Sequence, residues 1–442
     1  MDGLNRIMLQ DLSEKINELC ENNYESCVQL LSRLIACKSF SGHEGECAEV
    51  LVAFFHNRNI PCFVDERGSV LAVSLPRTFE TEPPQDFAAD GRAWLKSELE
   101  RASATGLKIL AFNAHLDVVG ADNLEEWRDD PFKAVRKFGR IFGRGTCDMK
   151  GALASMAMAM SVSRELDRSF ARQCVILGCF CTEEEAAEGL AFKELFEEFS
   201  LKPDMVLLGE PSKMQIARGQ RGKLEMLVET AGVCAHTSVP ESGDNAAYKL
   251  AKALLVIADF DAEERFKYGL ETENILKRTT MVASMIESWP KSKSFVPNHA
   301  LAHVTARLAL GETMVSVGKR LIASENWPDA EIKPIVYKGS SYKGKISEWK
   351  AEHPAWETST DNPFFHNLAG AYRELFDAEP VDKIWPFSTD GVFSAGMAGI
   401  PTLGIGPGHE EVAHKTDEWV SEEELKNALK LYAFLPFYKA DF

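Results

Sequence analysis

Three short apolar runs, each ending in acidic or histidine residues, constrain this chain more than any other feature. Residues 108–113 run into Ala114-His115-Leu116-Asp117, residues 173–181 into Thr182-Glu183-Glu184-Glu185, and residues 204–208 into Gly209-Glu210-Pro211-Ser212. An apolar run of roughly four to eight residues that stops abruptly at polar side chains reads as a buried strand. Segments with helical spacing separate the runs, at 152–166 and around 190–199. Such alternation predicts an α/β fold whose mostly parallel sheet carries helices on both faces. Binding sites in such sheets lie beyond the carboxyl ends of the strands, where all these clusters fall.

Length and charge narrow the classes further. At 442 residues the chain exceeds one typical core, so more than one domain is expected. Its 49 basic against 67 acidic residues give −18, which argues against a nucleic-acid partner. No apolar run reaches membrane-spanning length, and the acidic, amphipathic N-terminus lacks a signal-peptide core, so a cytoplasmic protein with no membrane partner is expected. All ten cysteines precede residue 235 without a CxxC pair, a pattern of buried reduced thiols.

Away from the strand ends, residues 8–37 predict two successive helices, and 76–106 a surface insertion. From about 219 the pattern shifts to alternating strands and helices of a compact α+β layer, inserted before the parallel pattern returns at 363. Residues 342–362 predict an irregular connection.

Five motifs at strand ends or in turns share one chemistry: His115 with Asp117; Asp148 in Gly143-Arg144-Gly145-Thr146-Cys147-Asp148; the triplet Glu183-Glu184-Glu185; Glu210; and Gly408-His409-Glu410-Glu411-Val412-Ala413-His414. Alone, His115 reads as a core histidine and the triplet as a solvated helix start. Together they suit zinc, with cobalt or manganese fitting the same donors. A carboxylate can bridge two ions ~3.5–4 Å apart, and a neighbouring free glutamate can relay a proton. Glu184 and Glu185 offer one residue for each task; Glu183 and Glu184 offer the alternative register, and His409 rivals His414.

These motifs resemble, in order and along nearly the whole chain apart from 76–106, the di-zinc aminoacylase and carboxypeptidase family that includes acetylornithine deacetylase and succinyl-diaminopimelate desuccinylase. Within it, Arg218-Gly219-Gln220-Arg221-Gly222, Pro240-Glu241-Ser242-Gly243-Asp244-Asn245-Ala246, Ser388-Thr389-Asp390-Gly391 and Gly406-Pro407-Gly408-His409 look closest to hydrolases linked to selenium metabolism. The resemblance implies a zinc-peptidase-like catalytic domain at 1–217 and 342–442, with 218–341 as an inserted lid and dimerisation domain. It implies two Zn2+ per subunit, one held by His115, Asp148 and Glu210, the other by Asp148, Glu185 and His414. Asp148 would be the bridge, Glu184 the general base, and Asp117 the residue that orients His115. His236, in Val233-Cys234-Ala235-His236-Thr237-Ser238, matches a lid histidine that reaches an active site, often the partner subunit's, within a homodimer. Arg307 and Asn298 would line the substrate pocket, with Ser388 and Thr389 in a carboxylate-binding turn. The implied activity is hydrolysis of the amide bond of an N-acyl amino acid or small peptide-like substrate. A dipeptidase or carboxypeptidase of the same fold, or a binding protein without activity, is the alternative. Cys147 and His43, His56, His299, His303, His353 and His366 read as structural.

Overall fold

The computed structural model describes residues 3–438 apart from 80, 85, 173 and 272–274. The chain begins with α1 (Gly3–Ala36) and α2 (Gly45–His56), followed by β1 (Cys62–Val64), β2 (Val70–Ser74) and α3 (Phe87–Ala104). Next come β3 (Lys108–His115), the small strands β4 (Val135–Lys137) and β5 (Arg140–Phe142), α4 (Gly151–Leu166), β6 (Cys174–Cys181), α5 (Leu190–Phe199), β7 (Met205–Leu208) and β8 (Ile216–Gln220). The middle of the chain forms β9 (Gly222–Ala231), α6 (Ala246–Tyr268), β10 (Thr280–Trp289), β11 (His299–Leu308), α7 (Met314–Ile322) and β12 (Ala330–Pro334). It continues through β13 (Val336–Ser340), β14 (Ile346–Lys350), β15 (Glu352–His353) and β16 (Trp356–Glu357). The chain closes with α8 (Pro363–Phe376), β17 (Asp382–Trp385), β18 (Thr402–Gly404), β19 (Trp419–Ser421) and α9 (Glu422–Phe434).

Nine strands make the large sheet, in the order β1-β2-β6-β3-β7-β18-β8-β16 with β17 also on β8. Its centre, β6-β3-β7-β18, is parallel, so these strands deliver their carboxyl ends to one edge. The two-residue period of β3 explains the layers on either side. Leu110, Phe112 and Ala114 pack with α1, α4 and α9, whereas Ile109 and Ala111 pack with α3 and α5. A fold of this class, an α/β sheet with helices on both faces, is what the strand–helix alternation predicts.

A second, antiparallel sheet has the order β10-β11-β9-β12, with β15 also paired to β9. Leu224, Met226 and Val228 alternate with polar residues along β9 and pack with Leu250, Ala253 and Ile257 of α6 and Val317 and Leu321 of α7. The hairpin β13–β14 grows out of this sheet between β12 and β15.

Three expectations are corrected. Residues 8–36 lie in one 34-residue helix rather than two, because the buried stripe from Leu19 to Val28 runs unbroken through its middle. Residues 76–106 are not merely a surface insertion: Leu95, Leu99 and Ala102 of α3 are buried against Ile109 and Ala111, and close one face of the sheet. Residues 342–362 contain β14, β15 and β16, which tie the two sheets together. No described helix is long and apolar enough to cross a membrane.

Candidate metal centre and active site

His115 is the last residue of β3, and it is buried, with Nδ1 2.9 Å from the Asp117 backbone carbonyl. Its Nε2 lies 3.0 Å from Asp148 Oδ1. The other Asp148 oxygen, Oδ2, is 3.0 Å from His414 Nε2, which in turn is 3.0 Å from Glu185 Oε2. Asp148 therefore stands between the two imidazoles. Glu184 and Glu210 complete the group: donor atoms of His115, Asp148 and Glu185, and of His115, Glu184 and Glu210, lie within 4.8 Å of one another in each set.

The Asp117 carboxylate does more than face His115, whose Nδ1 is 3.5 Å from Oδ1. Its two oxygens accept the backbone N–H groups of Glu184 and Glu185 at 3.1 and 3.0 Å, and Ser41 donates to it at 2.7 Å. Glu183 turns away from the cluster: its carboxylate pairs with Arg67 and accepts the Tyr337 hydroxyl. Likewise His409 Nε2 lies 2.9 Å from Glu424, outside the cluster, and its ring packs on Trp419.

Burial and mutual repulsion push the Glu184 and Glu210 carboxyls well above the ordinary range, with Glu210 the largest charge acting on Glu184 and Asp148 the largest on Glu210. Glu185 is pushed up to about 7, by burial and then by Asp148. Hydrogen bonds to Asp148 and Glu185 raise His414 to about 10. Burial acts to lower His115, but the carboxylates of Asp117 and Asp148 outweigh it and hold the imidazole well above its usual value. Protons thus gather where the carboxylates crowd, and a bound cation would displace them.

A cavity of about 320 Å³ opens over this cluster, lined on one side by Asp148, Glu184, Glu185, Glu210 and His414 and on the other by Lys223 and Arg307. Arg307 and Lys223 are direct neighbours on β11 and β9, and Arg307 Nη1 is buried without a hydrogen-bond partner. Ser388 lines the cavity, but Thr389 does not: it is fully buried and donates its hydroxyl to Gln220 at 2.6 Å. Its expected substrate contact is corrected accordingly. Asn298 and His236 also lie away from this cavity, beyond the far end of β9. From Lys223 to Ala231 that strand spans roughly 26 Å at ~3.3 Å per residue.

Two buried carboxylates escaped the sequence reading of the site. Glu418 accepts the backbone N–H groups of Gly145, Cys147 and Asp148 and pairs with Arg144 at 2.7 Å, which holds the Asp148 turn in place. Asp390 accepts from Asn113 Nδ2 and from Gly189 N, both at 2.8 Å, behind the Glu184 loop. Asp390 stands inside the Ser388-Thr389-Asp390-Gly391 turn and Glu418 four residues after His414, but neither position carries a local signal of burial.

The donor set fits a metal pair. Two imidazoles and four carboxylates match the hard-to-borderline preferences of divalent ions. Glu184 Oε1 is buried with no hydrogen-bond partner, a costly state for an acidic oxygen that a cation or its water would relieve.

Residues 111–436 match the family model described as Peptidase family M20/M25/M40. The chain belongs to this family. It is therefore a metallohydrolase of the M20 type. The uncharacterized protein YgeY of Escherichia coli K12 is 31% identical over 333 residues, covering 75% of this chain and 81% of that protein. A probable succinyl-diaminopimelate desuccinylase of Staphylococcus epidermidis is 26% identical over 365 residues, 78% of this chain and 85% of that one. Among solved structures, aminopeptidase PepT of Bacillus cereus superposes with a TM-score of 0.67 at 20% identity, over 94% of this chain and 99% of that one. That likeness shows the fold.

Proposed function

We propose that this M20 enzyme cleaves the amide bond of an N-acyl amino acid or small peptide-like substrate, using two zinc ions, for which cobalt or manganese can substitute. The observation that carries this reading is the single cavity in which the His115–Asp148–His414 cluster faces Arg307. In it His115, Asp148 and Glu210 would hold one ion, and Asp148, Glu185 and His414 the other. Bound there, a divalent pair would supply Lewis acidity to the substrate carbonyl and to the attacking water.

The chain's own residues supply the rest. Glu184, whose Oε1 is uncommitted, takes the proton of the attacking water and delivers it to the leaving amine. Its neighbour Glu183 is already committed to Arg67 and Tyr337, which favours the Glu184/Glu185 register. The unpartnered Nη1 of Arg307 receives the substrate carboxylate, and Ser388 lines the same cavity. Asp117, through the amides of Glu184 and Glu185, keeps both side chains turned to the cavity.

We draw the inserted lid at 222–353, because β8 belongs to the large sheet whereas Glu352–His353 pairs with β9. The lid's edge strand β10 exposes Val282, Met285 and Ile286, an apolar edge suited to pairing with a second copy about a two-fold axis. In such a homodimer His236, too far along the lid to serve its own cavity, stabilises the developing oxyanion in the partner's site. Ten free cysteines, nine of them buried, favour a reducing, cytoplasmic setting.

A panel of N-acetyl and N-succinyl amino acids and dipeptides, assayed with zinc or cobalt, tests the substrate class. Preferred turnover of acylated amino acids supports a deacylase, and preferred turnover of dipeptides the peptidase reading. No turnover of any member by a metal-loaded protein overturns the proposal.

Complementation tests the site across the dimer. His236→Ala and Glu184→Ala should each be inactive alone. An equimolar mixture, after subunit exchange, should regain about a quarter of wild-type activity, because half the dimers are mixed and each has one intact site. No recovery despite exchange would rule out a role for His236 in the partner's site.

A further inference from the structure

The loop bearing Glu184, residues 183–188, is gripped at both ends by one pair of facing side chains. Glu183 has φ +54°, a left-handed conformation that a non-glycine residue keeps only where its surroundings hold it. Three contacts do so: its carboxylate pairs with buried Arg67 and accepts the Tyr337 hydroxyl at 2.8 Å, and its N–H donates to Glu44 Oε1 at 3.0 Å. At the other end, the Glu188 carbonyl accepts the Trp349 indole N–H at 3.0 Å. The Glu188 carboxylate accepts from Lys223 Nζ of β9 at 2.8 Å and faces His353 Nε2 of β15 at 3.2 Å.

Tyr337 and Trp349 sit directly opposite each other in the β13–β14 hairpin. That hairpin is a continuation of the second sheet, following β12 by one residue and preceding β15 by one. Its tip is anchored to the large-sheet domain, where Tyr342 donates to the Gly68 carbonyl at 3.0 Å, Lys343 to the Asp65 carbonyl at 2.7 Å, and Lys345 pairs with Glu194 at 3.0 Å. Neither Tyr337 nor Trp349 is among the residues that line the cavity.

We propose that Tyr337 and Trp349 are positioning residues for Glu184: the hairpin pair spans the base loop, holds Glu183 in its left-handed conformation and ties down Glu188, so that the second sheet sets where the base points. The proposal rests on Glu184 being the general base. Glu184 lies between the two gripped ends, with its N–H fixed on Asp117 and its Oε1 free. Any displacement of the second sheet would reach the base through these contacts, which makes the base's alignment depend on the lid.

Tyr337→Phe and Trp349→Phe remove the donated hydrogen bonds and keep an aromatic ring in place. Each should lower kcat about tenfold with KM within about twofold, because a misplaced base costs rate without costing substrate binding. Metal content and Tm should stay at wild-type values. Amide hydrogen exchange over the peptide 182–190 of the metal-free variants should speed up. In a Glu184→Ala background, followed at high enzyme concentration, Tyr337→Phe should cost less than about twofold more, since a residue acting through Glu184 has nothing left to position. Wild-type kcat in both variants, the same tenfold loss in the Glu184→Ala background, or a change confined to KM would each overturn the proposal. If Tyr337→Phe fails to fold, Trp349→Phe carries the same comparisons. Turnover retained by Glu184→Ala itself would instead sink the base assignment, a separate failure.

Discussion

Glu184→Ala should bind about two metal ions per chain and lose amide hydrolysis by a factor of about 10²–10⁴, or about 2.7–5.4 kcal/mol of transition-state stabilisation. The side chain is buried, its Oε1 has no hydrogen-bond partner, and burial with the Glu210 charge drives its carboxyl well above the ordinary range. A raised affinity for protons is what a group needs to take one from water and return it to an amine. Metal analysis decides between two roles, because Glu184 also lies within reach of His115 and Glu210 as a donor. Full metal content with collapsed kcat identifies the base. Loss of one ion would make Glu184 a ligand, and normal turnover would remove it from the chemistry.

Asp148→Ala should have the larger effect on the site as a whole. Its two oxygens face His115 and His414 separately, at 3.0 Å each, so its removal takes a donor from both halves of the cluster at once. Metal content should fall toward zero where loss of any other single donor leaves about one ion. Activity should fall by more than the 10–100-fold typical of an outer partner such as Glu418. The apo protein should remain folded, since the Asp148 turn is held by backbone hydrogen bonds to Glu418 rather than by the Asp148 side chain. Two ions retained in Asp148→Ala would refute its bridging position.

Much of this could be read in the chain because the features are local. Apolar runs that stop at His115, at Glu183 and at Gly209 mark buried strands whose polar ends must share an edge once the strands are parallel. The order of strands and helices, the class of fold and the identity of the residues at that edge therefore follow from patterns within a few residues of each other. The burial of helix α3 was not legible because its buried positions Leu95, Leu99 and Ala102 are separated by polar ones, so that the stretch reads as a polar helical patch on the surface. The two helices expected over 8–37 are the single helix α1, whose buried positions run through the polar pair Asn22-Asn23 without a break.

What only the tertiary structure decided is which member of each local cluster faces the cavity. The triplet Glu183-Glu184-Glu185 is one acidic patch in sequence, yet Arg67 and Tyr337, distant along the chain, draw Glu183 out and leave its neighbours in. Similarly Glu424 claims His409, while Asp148 and Glu185 face His414. Thr389 adjoins cavity-lining Ser388 in sequence but is spent on Gln220. In each case the choice is made by a partner brought close only by packing, and charge and hydrogen-bond complementarity across such distances leave no trace in local pattern. The sequence by itself thus determined the strands, their polar ends and the chemistry available to them; the packed partners decided which of those side chains were free to perform it.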